Sequence, residues 1–277
     1  SACPPPDAGA AGAGAIGAGA AGLAPRGVDA LAAYEEGSVL PITFWNSGSC
    51  PFAQRAWIVL EEKRLPYELI RVNLTDKPRD FVDAYASVNP AAGASAKVPV
   101  VRMADGYTLI ESGVVAEFLE ERFPERGARL MPDSPERRAQ VRLFTATFDS
   151  TLSAAAFAVL NAADADVARR VGELDGQLKA LDGFLQRHGG GRGGPFFCGQ
   201  AFSLAEVHAA PFVQRLLVLL PRLRKVSLLA RCRRLGLSRL HAWLQAVARR
   251  PSVTQTGLPE EALVEAYSAG RKQRAAS

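Results

Sequence analysis

The sequence predicts two domains, an α/β domain followed by an all-α domain. In the first half, short apolar runs with strand character alternate with helix-period patterns and turn residues. After about Arg129 the strand signals stop, and amphipathic helical patterns take over. A chain of 277 residues has room for two domains, and an apolar content of 48% is enough to bury a core in each.

The first predicted strand and helix meet at Cys50. The apolar run containing Phe44 and Trp45 is stopped by Asn, Ser and Gly, and a helical pattern then begins at Pro51. Proline suits the first helical position because its φ is already helical and it has no N–H to leave unpaired. Cys50 would stand at the helix N-terminus, where free amides and the helix dipole favour thiolate over thiol. It is a candidate nucleophile or thiol-exchange centre; the alternative is a small buried apolar residue.

The other cysteines restrict the chemistry open to Cys50. Ala53 stands where a Cys-x-x-Cys motif would carry its second cysteine, so a second thiol would have to come from a small molecule. Cys3, Cys198 and Cys232 are predicted to be structural or incidental, and their spacing is not that of a metal site. Four cysteines in a chain of this length favour a reducing compartment over a disulfide scaffold.

Three further segments complete the predicted α/β domain. Residues 66–74 alternate as a strand and are closed by the turn Asp76-Lys77-Pro78. A second apolar run begins at Lys97-Val98-Pro99. Glu111-Ser112 precedes a helix predicted over residues 114–122, and from these residues alone the pair would be a helix cap and a first-turn acid.

Helix signals dominate the second half. Ser134-Pro135-Glu136 combines an N-cap, a proline at the first helical position and an early acid. Ser203 and Glu206 have the spacing of a capping box. A long amphipathic helix ending at Gly189 is predicted from a core-facing apolar stripe made of Val167, Val171, Leu174, Leu178, Leu181 and Leu185.

The segment 42–57, centred on Cys50-Pro51-Phe52-Ala53-Gln54-Arg55, resembles the first strand and helix of the thioredoxin-like half of glutathione transferases. A cysteine before Pro-Phe-Ala is similar to the cysteine classes of that superfamily. Lambda is the most similar class, with omega and the plant dehydroascorbate reductases close. The serine classes carry a hydroxyl at this position, which makes conjugation of electrophiles the weaker expectation. The resemblance covers roughly residues 41–267 and implies an α/β thioredoxin-like N-terminal domain with an all-α C-terminal domain.

The resemblance also implies the site. Cys50 would be the catalytic residue and glutathione the co-substrate, with no metal. Lys77 would face the glycyl carboxylate of glutathione, and Val98, before a cis Pro99, would pair with its cysteinyl backbone. Glu111 and Ser112 would hold its γ-glutamyl end. The full set implied to bind glutathione is Phe52, Lys77, Lys97, Val98, Glu111 and Ser112. The connection between Asn89-Pro90 and Lys97 is longer than the family's usual Asn-Pro-x-Gly-Lys.

The same resemblance divides the chain into a glutathione-binding domain at 41–127, a helical substrate domain at 128–267 and a flexible tail at 268–277. Residues 1–40 are predicted to be a disordered low-complexity arm. Residues 8–24 are almost wholly Ala and Gly, and they cannot bury enough apolar surface to offset the entropy of ordering. Because the arm is also poor in acids, it could be the remainder of a targeting segment. We therefore predict a cytoplasmic or chloroplast location.

The charge distribution keeps a second function open. Between residues 207 and 259, here called the basic segment, there are ten Lys or Arg and no acid. Such a segment could attract polyanions, although solvated helix faces are the commoner explanation. Without interleaved aromatic residues it does not suggest a specific nucleic-acid platform. No run of about 18 strongly apolar residues predicts a membrane span.

Two hypotheses follow. The first is a glutathione-dependent thiol transferase that acts through Cys50 on mixed disulfides or a small oxidant such as dehydroascorbate. The second is a non-catalytic binding or scaffold module that uses the basic segment. The second substrate and the choice between monomer and homodimer stay open. Phe148, Phe157 and Trp243 could line a substrate pocket or pack in the core.

Overall fold

The computed structural model describes residues 41–91, 93–189 and 193–276, with side chains of the last helix described up to residue 269. The predicted arm of residues 1–40 lies outside the described residues. The described chain divides into two compact units that meet in sequence between Arg129 and Leu130. The boundary predicted from the sequence was residue 127.

The first unit has a four-stranded sheet with three helices in its described residues. The sheet order is β2-β1-β3-β4, with β1 parallel to β2 and antiparallel to β3, and β3 antiparallel to β4. This small mixed sheet with its helices confirms the predicted thioredoxin-like fold class. The elements are β1 (Ile42–Asn46), α1 (Pro51–Glu62), β2 (Tyr67–Arg71), α2 (Arg79–Ala86), β3 (Val100–Arg102), β4 (Thr108–Leu109) and α3 (Ser112–Arg122).

Strand β1 is the buried centre of this sheet. Phe44 and Trp45 point to opposite faces as successive strand residues and are 0% and 2% exposed, so both faces of the sheet are covered. Helix α1 begins at Pro51, as the sequence predicts. Strand β2 is shorter than the predicted segment 66–74.

A buried ion pair joins α1 to α3. The ammonium of Lys63, directly after α1, donates to the Glu120 carboxylate at 2.7 Å, and the two side chains are 0% and 6% exposed. Removing either partner would leave a buried charge uncompensated, which is the costly way to disturb such a pair.

The second unit is helical, as predicted. The described elements are α4 (Pro135–Phe148), a π-helical turn (Asp149–Ser153), α5 (Ala154–Asn161), a 3-10 turn (Asp164–Asp166), α6 (Val167–His188), α7 (Leu204–Arg224), α8 (Leu228–Arg234), α9 (Ser238–Arg249), α10 (Pro251–Thr256) and α11 (Glu260–Ala276). The sequence predicts a flexible tail from residue 268, and in the structure α11 continues to Ala276. Its last turns are rich in Ala, Arg, Lys and Gln, all good helix formers.

The centre of the helical unit is organised around the buried carboxylate of Glu206. Its oxygens accept hydrogen bonds from the Ser203 amide at 3.0 Å, the Ser203 hydroxyl at 2.8 Å and the Phe197 amide at 2.6 Å. Trp243 donates a fourth through Nε1 at 2.9 Å. Burial raises the pKa of Glu206, and the hydrogen bonds oppose that shift. The predicted capping box is therefore present and extends to a distant tryptophan.

Most of the predicted apolar residues pack in the core. Leu174, Leu178, Leu181 and Leu185 of the α6 stripe are fully buried, whereas Val167 and Val171 are half-buried. Phe148 and Trp243 are also fully buried, which assigns them to packing and not to a pocket lining. Phe157 is half-buried and contacts the rings of Phe212 and Tyr267.

Two helical stretches, 135–161 and 204–224, are long and apolar enough to cross a membrane by length and composition. The second is 72% buried within the fold, and a buried core helix passes the same test. The finding therefore weighs little against the prediction that no membrane span is present.

Much of the basic segment is paired within the helical unit. Arg231 in α8 binds both carboxylate oxygens of Asp175 in α6, with Nε donating to Oδ1 at 2.6 Å, and Arg234 donates to the same Asp175 at 2.9 Å. Arg224 donates to Asp164 at 2.8 Å, and Arg239 donates to two backbone carbonyls, each at 2.7 Å. Two acids from other parts of the chain thus pair with three of these arginines, and backbone carbonyls accept hydrogen bonds from a fourth.

Candidate active site

Cys50 lies where the sequence predicts, between the end of β1 and the first residue of α1. Its backbone is extended, with φ −79° and ψ 116°, and its carbonyl accepts the Gln54 amide at 3.2 Å as the first turn of α1. The thiol is half-buried, and Sγ lies 3.9 Å from the carbonyl oxygen of Val98. The sulfur therefore stands at the positive end of a 12-residue helix, the setting that favours a thiolate.

The other two described thiols have different surroundings. Burial raises the pKa of Cys198, and burial raises the pKa of Cys232 to about 11. Both effects favour the unreactive thiol form. Within the described parts of the chain, no group of three His, Cys, Asp or Glu side chains could hold a metal ion.

The backbone beside Cys50 presents an edge to a ligand. The Val98–Pro99 peptide bond is cis, the geometry that the family resemblance implied. Val98 is 8% exposed, and no partner for its N–H is found among the described residues. A buried amide without a partner is unfavourable, so this one is suited to pair with the backbone of an extended ligand.

Glu111 and Ser112 are the two residues predicted to hold the γ-glutamyl end of glutathione. Glu111 has φ +68° and ψ 108°, a region where a residue with a side chain is strained by about 1–3 kcal/mol. Ser112 is the first residue of α3 and is 6% exposed. Neither side chain has a hydrogen-bond partner in the part of the chain that the structure describes. The acid, the hydroxyl and the helix N-terminus are therefore free to meet a ligand.

The two predicted lysines have different environments. Lys77 is half-buried and donates through Nζ to the Ser95 hydroxyl at 2.6 Å. Lys97 is exposed, and its side chain makes no hydrogen bond or ion pair with another described residue. Ser95 was not a predicted site residue. It lies in the connection before Lys97, and the unusual length of that connection was the only sequence signal that could have drawn attention to it.

Phe52 is half-buried in the first turn of α1, where the Arg55 guanidinium lies 5.1 Å from the centre of its ring. The structure thus brings Phe52 together with Arg55.

Several of the predicted site residues, or their neighbours in sequence, pack against one core cluster. Cys50 and Ile110, the residue before Glu111, both pack against a cluster that contains Ala96 and Val98. Leu74, three residues before Lys77, packs against the same cluster. Cys50, Val98 and the residues that lead into Lys77 and Glu111 are therefore supported by one core cluster.

Comparison with known proteins agrees with this geometry. Residues 49–122 match the family model described as the N-terminal domain of glutathione S-transferase, and residues 158–246 match the model of its C-terminal domain. The chain is 31% identical over 226 residues to glutathione S-transferase L2, chloroplastic, from Arabidopsis thaliana, covering 80% of this chain and 68% of that protein. The chain belongs to the glutathione transferase family. Glutathione is accordingly its co-substrate, and the protein is an enzyme.

Two other matches describe the breadth of the similarity. Glutathione S-transferase DHAR2 from Arabidopsis thaliana is 29% identical over 220 residues, which cover 79% of this transferase and 89% of that protein. The crystal structure of glutathione transferase Omega 3C from Trametes versicolor superposes with a TM-score of 0.69 at 26% identity, covering 91% and 99% of the two chains. The matches thus span several classes, and the lambda class stays a prediction.

Proposed function

We propose that this glutathione transferase is a thiol transferase and reductase that acts through a single nucleophilic cysteine, Cys50. Its substrates would be mixed disulfides that contain glutathione and, as a small oxidant, dehydroascorbate. The observation that carries the proposal is the position of Cys50. The thiol stands at a helix start, 3.9 Å from Val98 O, and packs against the same core cluster as Ile110, which directly precedes the acid-hydroxyl pair that other described residues do not engage.

The reaction proceeds in two exchanges. The Cys50 thiolate attacks the glutathione sulfur of a mixed disulfide, forming a Cys50–glutathione disulfide while the substrate leaves as a thiolate that takes up a proton. A second glutathione, as its thiolate, attacks that disulfide and releases oxidised glutathione and the Cys50 thiolate. With dehydroascorbate, two glutathione molecules supply the two electrons and two protons that convert it to ascorbate, and oxidised glutathione is again the product.

The remaining residues position glutathione and take no part in bond making. The Val98 amide would pair with the cysteinyl backbone and bring the glutathione sulfur to Cys50. Ser112, with the amides of the α3 N-terminus, would bind the γ-glutamyl carboxylate, and Glu111 would face its ammonium group. Lys77 would bind the glycyl carboxylate at the other end, with Lys97 and Phe52 along the edge. These assignments come from the family resemblance and are supported by the availability of the groups.

The paired arginines weigh against the scaffold alternative. Arg224, Arg231, Arg234 and Arg239 each bind a carboxylate or a backbone carbonyl of the helical unit. The basic segment consequently presents fewer unpaired cations than its sequence suggests. The names of relatives include both cytosolic and chloroplastic proteins, and we propose one of these two compartments.

The proposal is tested by assaying Cys50→Ser and Cys198→Ser with a glutathionylated peptide and with dehydroascorbate. Cys50→Ser should lose both activities while it still binds glutathione, and Cys198→Ser should keep both. Mass spectrometry after exposure to oxidised glutathione should find one adduct, on Cys50. Activity that survives in Cys50→Ser would show that another group is the nucleophile.

A further inference from the structure

The long connection between Asn89-Pro90 and Lys97 is a folded turn. The Ala91 amide donates to the Asn89 side chain at 3.1 Å, and the Ala94 amide donates to the Ala91 carbonyl at 3.2 Å. Gly93 has φ +74°, which a residue with a side chain rarely adopts. The described residues of this connection therefore form a turn just before Ser95.

The register after this turn is set by burial. Ala96 and Val98 are 5% and 8% exposed and belong to the core cluster beneath the site. Ser95 and Lys97 are exposed. Because neighbouring side chains of an extended segment point in opposite directions, the Ser95 hydroxyl and the Lys97 ammonium lie on the side away from the core.

Ser95 holds the ammonium group of Lys77. The Nζ–Oγ distance is 2.6 Å, and no carboxylate of the described residues lies within 4.0 Å of that Nζ, the neighbouring Asp76 included. An ammonium has three donor positions, and the serine hydroxyl accepts at one of them. The hydroxyl keeps its own proton to donate, so the pair offers a cation and a neutral donor from one position.

We propose that Ser95 is a specificity-determining residue that, with Lys77, binds the glycyl carboxylate of glutathione. The inference rests on the proposed function and extends it. A carboxylate can accept from the ammonium and from the hydroxyl at the same time, and hydrogen bonds to a charged group are stronger than neutral ones. A ligand whose glycyl carboxylate is esterified loses the charge, and it should gain little from Ser95.

The experiment measures the affinity of the full chain for reduced glutathione and for glutathione ethyl ester, which is blocked at the glycyl carboxylate, by calorimetry. The unmodified protein should bind glutathione more tightly than the ester. Ser95→Ala should weaken glutathione binding about tenfold, the effect of one hydrogen bond to a charged group, and should change binding of the ester less than about twofold. Lys77→Gln should remove most of the preference for glutathione.

Two matched variants separate the hydroxyl from the loop. Ser95→Thr keeps a hydroxyl at the same position and should retain the preference. The double variant Ala94→Ser with Ser95→Ala moves the hydroxyl by one residue at constant loop length, and it should behave like Ser95→Ala.

Equal weakening of both ligands in Ser95→Ala would overturn the inference, because it would show that the residue only shapes the loop. Unchanged affinity for both ligands would also overturn it, and the proposed function would stand. Failure of the unmodified protein to bind glutathione at all would overturn the proposed function together with the inference.

Discussion

Three thiols are described in this transferase, and their surroundings differ. Cys50 is half-buried at a helix start, whereas the pKa values of Cys198 and Cys232 are raised by burial, that of Cys232 to about 11. A raised pKa leaves less thiolate at a given pH, so these two thiols should react slowly at neutral pH.

Alkylation with iodoacetamide at pH 7, followed by peptide mass spectrometry, should therefore label Cys50 before Cys198 and Cys232. Raising the pH to 9 should speed labelling of Cys198 and leave Cys232 slow. In strong denaturant the three thiols should react at similar rates, which serves as the control. Similar rates in the folded protein would contradict the assignment of Cys50 as the activated thiol.

Ser112 allows a direct test of the γ-glutamyl end. Replacing it with Ala removes a hydroxyl that should donate to a carboxylate, a contact of about 1.5–3 kcal/mol, so glutathione affinity should fall about ten- to a hundredfold. Ser87→Ala is the control, because that hydroxyl donates to the Ala84 carbonyl at 2.8 Å in the same unit and should not affect the ligand. Calorimetry that finds equal affinities for Ser112→Ala and Ser87→Ala would reject the role of Ser112.

Among the individual site residues, Cys50 could be predicted from the sequence and Ser95 could not. Pro51 and the stopped apolar run before it predict the position of Cys50, because a helix start depends on a few adjacent residues. Ser95 could not be predicted in this way. Its contact with Lys77 joins residues 18 apart that lie in separate loops on either side of α2, and only the fold brings them together.

At the scale of the element, the start of α7 depends on the carboxylate of Glu206. Glu206→Ala would leave the amides of Phe197 and Ser203 and the indole N–H of Trp243 buried without their acceptor. Each unpaired donor costs about 1–3 kcal/mol, so the variant should lose at least about 3 kcal/mol of stability. A large fall in the urea midpoint is expected, with Glu265→Ala, an exposed acid of α11, as the control. Equal midpoints for the two variants would contradict this account.

The hydrogen bonds of Glu206 include some that the sequence predicts and one that it does not. The spacing of Ser203 and Glu206 identifies the start of α7, since the box is local in sequence. The hydrogen bond from Trp243 to Glu206 joins residues 37 apart, and no local sequence pattern predicts it. The end of α11 was missed for another reason, because a short polar tail can be helical or disordered at similar cost.

At the scale of the whole molecule, the ten cations of the basic segment overstate the number of its charges that are left unpaired. Of its ten cations, Lys225, Arg233 and Arg249 are exposed and have no partner among the described residues. Exposed charges are screened over roughly 8 Å at physiological salt.

Heparin affinity chromatography should show weak retention of the unmodified protein that is lost by about physiological salt. A triple variant with Lys225, Arg233 and Arg249 replaced by Ser should elute earlier still and keep its thiol transfer activity. Retention that persists well above physiological salt, and that the triple variant removes, would restore the scaffold alternative.

Asp175 determines whether two arginines of the basic segment are paired. One carboxylate, 18% exposed, is shared by two guanidinium groups on α8. Its replacement by a neutral residue of similar size would remove in a single step the charge that both arginines share. A single substitution would therefore leave two cations of α8 without their acid and create a surface able to attract anions. The acid that now pairs with them lies more than fifty residues earlier in the chain.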